Sequence, residues 1–223
     1  MLPSDHPVDN SGVWCQILTA AEPGRPALFL DRDGAVVEET DYLCRVSDVA
    51  LITGAAAVIA AANRRGIVVV MVTNQAGIGR GYYGWAEFKT VQDEIVARLA
   101  ADGARLDAVY ACPHHPSGRG AFAHPDHPAR KPNPGMLLQA ARDFELDMAK
   151  SWLVGDKAID VEAAKRAAIA GAMLVATGYG AAERDRAASF AGPDFAVRFG
   201  RSIADAITLP LFSLSNVASP HVR

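Results

Sequence analysis

Two aspartates separated by a single residue are the first candidates for chemistry in this chain. Residues 27–34 (ALFLDRDG) form an apolar run that ends in Asp31 and Asp33, and the glycine that follows permits a sharp turn. Two neighbouring carboxylates raise each other's cost of ionisation unless a cation lies between them. Mg²⁺ relieves this cost because it binds carboxylates together with phosphate oxygens. Taken alone, the pattern is also typical of an Asp-x-Asp-Gly turn that closes a strand.

Further polar groups follow apolar runs later in the chain. Thr73 and Asn74 end the second run and provide neutral donors suited to phosphate oxygens. Lys131 precedes a proline at the start of a predicted helix and adds a positive charge, and Asp156 follows Val154-Gly155 and adds a third carboxylate. Because ligands bind beyond the carboxyl ends of parallel strands, we expect these groups to converge on one phosphate site.

The elements that must position these groups alternate between strand and helix patterns. Short apolar, β-branched runs predict strands over 27–31, 67–73, 107–111, 151–155 and 171–176. Helical periodicity predicts helices over 54–65, 85–102, 134–145 and 158–169. This order predicts an α/β fold with a central parallel sheet flanked by helices, to which 194–197 and 202–207 would add a last strand and helix.

We predict one domain over residues 27–209. Residues 1–26, with four prolines and two glycines, would form an extension that drapes over it, and 210–223 a frayed tail. The connection between Asp33 and Thr73 has room for one turn and one helix, and the loop 112–133 is too short for a domain. We therefore expect no large cap domain over the site.

Composition favours a small-molecule partner. A formal charge of −3 and a pI near 6.1 give no general attraction for nucleic acid or for an anionic membrane. No apolar run reaches the roughly 18 residues that a membrane span needs, and the first residues do not resemble a signal peptide. Three widely spaced cysteines suit a reducing compartment. We expect a cytoplasmic protein, acting as a monomer.

The polar groups, taken together, resemble the four ordered motifs of haloacid-dehalogenase (HAD) superfamily phosphatases. The motifs are residues 31–34 (DRDG), 73–74 (TN), Lys131, and 155–156 (GD) with Asp160. Within that superfamily, 73–81 (TNQAGIGRG), 112–116 (CPHHP), 130–132 (RKP) and 154–157 (VGDK) resemble the D-glycero-D-manno-heptose-1,7-bisphosphate 7-phosphatases. Histidinol-phosphate phosphatases are the nearest neighbours of that family. The resemblance implies a Rossmann-like HAD fold.

The resemblance also implies catalytic roles. Asp31 would attack phosphorus to form an aspartyl-phosphate, and Asp33 would protonate the leaving oxygen and later deprotonate water. Mg²⁺ would be held by the Asp31 and Asp156 carboxylates and by the backbone carbonyl of Asp33. Thr73 and Lys131 would hold the phosphoryl oxygens.

Substrate contacts are implied as well. The residues are Glu39, Tyr42, Asn74, Gln75, Ala76, Arg130, Lys131 and Lys157. Arg130 would suit a second, non-reacting phosphate through bidentate bonding, or would be a solvated surface arginine. The resemblance implies heptose 1,7-bisphosphate as the substrate, converted to heptose 1-phosphate. Histidinol phosphate and a phosphate-binding regulatory module without turnover are the alternatives.

The loop 112–133 departs from the family. The family's zinc pattern is Cys-x-His followed by Cys-x-Cys, whereas this chain has Cys112-Pro113-His114 and then His127-Pro128-Ala129. Zinc accepts Cys or His and prefers four ligands in structural sites. One hypothesis is a zinc ion bound by Cys112, His114, His127 and His124, with His115 as the other candidate for the fourth ligand. The alternative is that the metal is lost and packing holds the loop.

Overall fold

The computed structural model describes residues 7–214. Residues 1–6 of the predicted extension and 215–223 of the predicted tail lie outside this range. The described part contains a seven-stranded sheet in the order β1-β4-β3-β2-β5-β6-β7. Its strands are β1 (Trp14–Ile17), β2 (Ala27–Leu30), β3 (Val68–Asn74), β4 (Ala108–Cys112), β5 (Trp152–Gly155), β6 (Gly171–Val175) and β7 (Ala196–Gly200). All neighbours pair in parallel except β1, which pairs antiparallel with β4.

Helices connect the strands. They are α1 (Ala55–Arg64), α2 (Ala76–Arg80), α3 (Trp85–Ala101), α4 (Gly135–Phe144), α5 (Ala158–Arg166) and α6 (Gly180–Ala188). The predicted α/β fold is confirmed, and ten predicted elements match strands or helices whose ends differ from the predicted ones by at most three residues. Among the helices of residues 7–214, none is long and apolar enough to cross a membrane.

Each face of the sheet carries its own apolar cluster. In β2, Leu28 and Leu30 belong to one cluster, whereas Phe29 belongs to the other, because successive side chains of a strand point to opposite faces. Every residue of β2 is fully buried. A parallel sheet covered by helices on both faces explains why β2, β3 and β5 are apolar without alternation.

The chain changes direction across the sheet at β2. It proceeds from β2 to β3 and β4 on one side, and then crosses to β5, β6 and β7 on the other. In open α/β sheets this switch point leaves a crevice at the carboxyl ends of the strands. Asp31 and Asp33 follow β2 directly and therefore lie at the crevice.

The N-terminal segment departs from expectation. The prediction that the fold begins near Ala27 is wrong, because β1 is the edge strand of the sheet and Trp14 is fully buried. The Trp14 ring packs against Trp85 and Phe88 of α3, with centroids 5.5 and 5.2 Å away. The four residues of β1 are too few to show a clear periodicity in the sequence. The strand forms because it pairs with β4, about ninety residues later in the chain.

Several other elements differ in detail from the predicted ones. Helices α2 and α6 were not predicted, and the last predicted helix is a 3-10 helix over Ile203–Thr208. Leu211 and Phe212 are buried, so the prediction of a frayed tail from residue 210 is wrong for its first residues. Between β2 and β3 the chain forms only a short 3-10 helix (Val46–Asp48), two isolated bridges and α1. No cap domain is inserted there, as predicted.

Candidate active site

Asp31 is held at the carboxyl end of β2 by its neighbours in the sheet. Its backbone N–H donates to the Val154 carbonyl at 2.9 Å, which continues the pairing of β2 with β5. Its Oδ1 accepts the backbone N–H of Arg32 and lies 2.8 Å from Lys131 Nζ. The side chain is 9% exposed and therefore meets solvent only through the crevice.

Lys131 is a buried cation between two carboxylates. Its Nζ lies 2.8 Å from Asp31 Oδ1 and 2.7 Å from Asp160 Oδ1, and it donates to the Val72 carbonyl at 2.8 Å. Burial alone would lower the pKa of Lys131, but Asp160 and Asp31 outweigh burial and raise that pKa above its usual value. The ammonium therefore stays protonated and can neutralise charge on a phosphoryl group.

Asn74 clamps the backbone of Lys131. Its Nδ2 donates to the Lys131 carbonyl and its Oδ1 accepts the Lys131 N–H, both at 3.0 Å. The predicted role of the amide as a donor to phosphate thus competes with a structural role that fixes Lys131 relative to β3.

Asp33 is held by a guanidinium and an amide. Arg32 Nε lies 3.1 Å from both carboxylate oxygens of Asp33, and Gln75 Nε2 donates to Oδ2 at 3.1 Å. Gln75 Nε2 also donates to Thr73 Oγ1 at 2.8 Å. Burial would lower the pKa of Arg32, yet Asp33 outweighs it and raises that pKa. The Gln75 side chain, predicted to contact substrate, is 2% exposed and positions Asp33 and Thr73.

Asp31, Asp156 and Asp160 lie close enough together to hold a metal ion. Within residues 7–214 they form the only group of three side chains whose possible metal-ligand atoms all lie within 4.8 Å of one another. Asp156 Oδ2 accepts the Tyr179 N–H at 2.9 Å, whereas its Oδ1 is buried without a hydrogen-bond donor. Burial, followed by the charges of Asp31 and Asp160, raises the pKa of Asp156 to about 8. A buried carboxylate oxygen that lacks a donor and lies among like charges fits a hard divalent cation.

Asp160 differs from the other two aspartates in its partners. One oxygen contacts Lys131, and the other accepts the Lys157 N–H at 2.9 Å, at the start of α5. Asp160 therefore orients Lys131 and caps a helix, which leaves Asp31, Asp156 and the Asp33 carbonyl as the predicted magnesium ligands.

Gly34 permits this close approach. Its φ is 77°, and a Cβ added there would lie 2.4 Å from Asp156 Oδ2. Any side chain at this position would displace the Asp156 carboxylate, so the glycine serves the site as well as the turn.

A cavity of about 280 Å³ opens above these groups. All nine residues predicted to contact substrate or phosphate line it: Glu39, Tyr42, Thr73, Asn74, Gln75, Ala76, Arg130, Lys131 and Lys157. The predictions missed Arg32, Asp41, Arg80, Tyr83, His115 and Tyr179, which also line it. Arg80 lies within the motif of residues 73–81 and His115 within that of residues 112–116, so these motifs could have indicated them. Tyr179 lies outside every motif.

One side of the cavity is basic. Arg130 Nη1 donates to the His114 carbonyl at 3.0 Å, and Arg80 Nη2 lies 3.0 Å from His115 Nε2. Burial, together with Arg130 and Arg80, lowers the pKa of His115 and keeps its imidazole neutral near pH 7. Two guanidinium groups thus lie apart from Lys131 in the same cavity.

The predicted zinc ligands lie close together without forming a ligand set. The His114 and His127 rings stack, with centroids 3.7 Å apart and 5° between their planes. His127 Nδ1 accepts the Ala129 N–H at 3.1 Å and lies 3.9 Å from Cys112 Sγ. His124 Nδ1 likewise accepts a backbone N–H two residues on. Among these side chains, no three possible ligand atoms all lie within 4.8 Å of one another, as those of the three aspartates do. The side chains therefore do not fit a tetrahedral zinc ion.

Known proteins are similar to this chain in sequence and in fold. A family model described as HAD-hydrolase-like matches residues 128–200. A relative from Mesorhizobium japonicum, named D-glycero-beta-D-manno-heptose-1,7-bisphosphate 7-phosphatase, is 46% identical over 172 residues, which are 76% of this chain and 79% of the relative.

Two solved structures are similar over most of the chain. A HAD-like phosphatase from Mesorhizobium loti superposes with a TM-score of 0.82 at 40% identity, covering 93% of this chain and 95% of that one. The D,D-heptose 1,7-bisphosphate phosphatase from B. bronchiseptica, solved with magnesium and phosphate, gives 0.71 at 30% identity over 81% and 95%.

Proposed function

Since the chain belongs to the heptose-1,7-bisphosphate 7-phosphatase family of HAD phosphatases, we propose that it removes the 7-phosphate of D-glycero-β-D-manno-heptose 1,7-bisphosphate. The products are heptose 1-phosphate and inorganic phosphate. One observation carries the proposal: the cavity holds a lysine on the Asp31 carboxylate and, apart from it, the Arg130 guanidinium. A bisphosphate needs one cation at the reacting phosphoryl group and another for the phosphate that remains.

The chemistry follows from the placement of the two aspartates. In the first step an Asp31 oxygen bonds to phosphorus, the bond to the sugar oxygen breaks, and Asp33 gives that oxygen its proton. In the second step Asp33 takes a proton from water, whose oxygen bonds to phosphorus and releases Asp31. Arg32 and Gln75 hold Asp33 in place for both transfers.

Magnesium would be held by the Asp31 and Asp156 carboxylates and the Asp33 carbonyl. When bound, it supplies positive charge that offsets the charge of the phosphoryl group. The unpartnered Asp156 Oδ1 supports this assignment, as does the magnesium in the B. bronchiseptica structure. Lys131, which contacts the Asp31 carboxylate, adds a further positive charge, and Thr73 offers a hydroxyl in the same cavity.

The second phosphate separates this proposal from its enzymatic alternative. Histidinol phosphate carries a single phosphate and leaves Arg130 without an anion. The Arg80 guanidinium, which lies 3.0 Å from the neutral His115 imidazole, adds to the charge of Arg130 on the basic side of the cavity, and this supports a substrate with two phosphates.

A kinetic comparison tests the substrate. Specificity constants are measured for both anomers of heptose 1,7-bisphosphate and for histidinol phosphate, with and without Mg²⁺. We expect the β anomer to be preferred and histidinol phosphate to be poor. A higher kcat/KM on histidinol phosphate would refute the assigned substrate while leaving the reaction class intact.

The Asp31→Asn variant tests turnover itself. It should lose magnesium-dependent phosphate release, because an amide cannot form the acyl-phosphate. Asp93→Asn, which changes an exposed aspartate paired with Lys89 on α3, is the matched control and should keep full activity. Phosphate release that survives in Asp31→Asn would refute Asp31 as the nucleophile, whereas a wild-type protein that releases no phosphate would favour a phosphate-binding module without turnover.

We also propose that histidine packing, and not zinc, holds the loop 112–133. The His114–His127 stack and the backbone bonds to imidazole nitrogens support this proposal. The three cysteines of the chain are free thiols, which suits the proposed cytoplasmic location, and we propose that the enzyme acts as a monomer on its small substrate.

A further inference from the structure

Tyr179 is 44% exposed, lines the cavity at its mouth and belongs to none of the motifs. It precedes α6 in the loop after β6, and its side chain is part of the cavity wall. Its backbone N–H donates to Asp156 Oδ2 at 2.9 Å, and its hydroxyl donates to Asp41 Oδ1 at 3.1 Å. One residue thus connects Asp156, a proposed magnesium ligand, with the segment 39–42, of which Glu39, Asp41 and Tyr42 line the cavity.

The segment 39–42 has an unusual backbone. Asp41 and Tyr42 are consecutive residues with positive φ, 46° and 67°. Side chains with a Cβ rarely adopt this region, and such a conformation persists only when surrounding contacts hold it. Asp41 is held by the Tyr179 hydroxyl, and Tyr42 is held on the other side by Arg80, which donates to its hydroxyl.

The Tyr179 ring also fixes a charged pair. Lys157 Nζ lies 4.4 Å from the ring centroid, within the range of a cation–π contact, and 3.2 Å from Glu39 Oε2. Glu39 Oε1 in turn accepts the Asp41 N–H at 3.1 Å. Tyr179, Lys157, Glu39 and Asp41 therefore form a closed set of contacts along one side of the mouth.

We propose that Tyr179 is a positioning residue that sets the selectivity of this enzyme for the sugar part of its substrate. It acts through Asp41, Lys157 and Glu39, whose positions at the cavity mouth it fixes. The inference rests on the proposed function, because it concerns the sugar that the same cavity accepts. The bond from the Tyr179 backbone N–H to Asp156 does not depend on the side chain at position 179.

The test separates binding of the sugar from turnover. We measure kcat and KM for the heptose bisphosphate and for p-nitrophenyl phosphate, which carries no sugar, in Tyr179→Phe and Tyr179→Ala. Tyr179→Phe should raise KM for the sugar substrate roughly 3- to 10-fold through loss of one hydrogen bond to a carboxylate at the surface. Tyr179→Ala should raise it further. Values of kcat, and both constants for p-nitrophenyl phosphate, should stay within about twofold.

Asp41 variants show whether the effect on KM depends on the hydrogen bond from the Tyr179 hydroxyl to Asp41. Asp41→Asn keeps an oxygen that can accept the hydroxyl and should keep KM near the wild-type value, whereas Asp41→Ala should match Tyr179→Phe. Combining Asp41→Ala with Tyr179→Phe should add little beyond either change, because both remove the same bond. Tyr82→Phe is the matched control, since Tyr82 is exposed nearby and does not line the cavity.

Three results would overturn the inference. They are an unchanged sugar KM in Tyr179→Ala, an equal loss on both substrates, and full additivity of the Asp41 and Tyr179 changes. If the wild-type enzyme preferred another phosphate ester, the proposed substrate would be wrong. The same comparison made with that ester and p-nitrophenyl phosphate would still decide the role of Tyr179.

Discussion

Magnesium binding should depend steeply on pH because of Asp156. The pKa of this buried carboxyl is raised to about 8 by burial and by Asp31 and Asp160. Mg²⁺ binds only the ionised form, so a proton competes with the metal below that pH. The ionised fraction is about one half at pH 8 and about one hundredth at pH 6, so the apparent affinity should fall roughly 50-fold, or about 2.3 kcal/mol.

Isothermal titration of Mg²⁺ into the metal-free protein measures this change. Near pH 7, repeating the titration in two buffers of different ionisation enthalpy should show about 0.9 protons released for each Mg²⁺ bound. Asp156→Asn keeps an oxygen for the Tyr179 N–H but cannot ionise, so it should bind Mg²⁺ weakly at every pH. Asp93→Asn should behave as the wild type.

Folding stability gives an independent check, because the stability of the metal-free protein should fall as pH rises, whereas the affinity for Mg²⁺ should increase. The folded-state pKa of Asp156 is raised, so the protonated carboxyl favours the metal-free fold at low pH. This contribution is lost as pH rises through about 8. The Tm of the metal-free protein should therefore fall between pH 6 and pH 9, and saturating Mg²⁺ should reverse the fall. An affinity that changes less than about fivefold between pH 6 and pH 8 would refute the reasoning.

Three further predictions concern the edge strand, Asp33 and the histidine cluster. Trp14→Ala should lower the free energy of unfolding by about 3–5 kcal/mol in urea denaturation, because it removes a buried ring, and kcat of the folded enzyme should be unchanged; a loss below about 1 kcal/mol would mean that β1 adds little. Gln75→Leu should reduce kcat about 10- to 100-fold, because Asp33 loses an amide donor; an unchanged kcat would contradict the positioning of Asp33. Metal analysis of purified protein should find far less than one zinc per chain, and a stoichiometric value would contradict the metal-free loop.

The strand ends could be predicted from sequence because their signal is local. Runs such as Val68–Val72 are apolar, β-branched and buried on both faces, and the polar residue that ends each run marks the edge of the sheet. The order of these ends along the chain, with Lys131 just before a predicted helix, then places Asp31, Thr73, Lys131 and Asp156 at one crevice. That convergence needs no knowledge of side-chain geometry.

The hydrogen-bond partners of the site could not be predicted in this way. Asn74 and Gln75 follow the same strand end, yet one clamps the Lys131 backbone and the other holds Asp33. Which polar group a side chain contacts depends on loops that meet only in the folded chain. Tyr179 and Asp41 are the extreme case, since 138 residues separate them in sequence and neither lies in a motif.

The antiparallel edge strand has a practical consequence for solubility. A chain shortened to begin at Ala27 would keep every group placed in the site, but it would leave β4 (AVYAC) as an open edge of unpaired backbone groups. Such a short, uncharged and apolar edge is a template for pairing with another molecule. Light scattering should show the shortened protein self-associating over time, which would make residues before Ala27 a guard against aggregation.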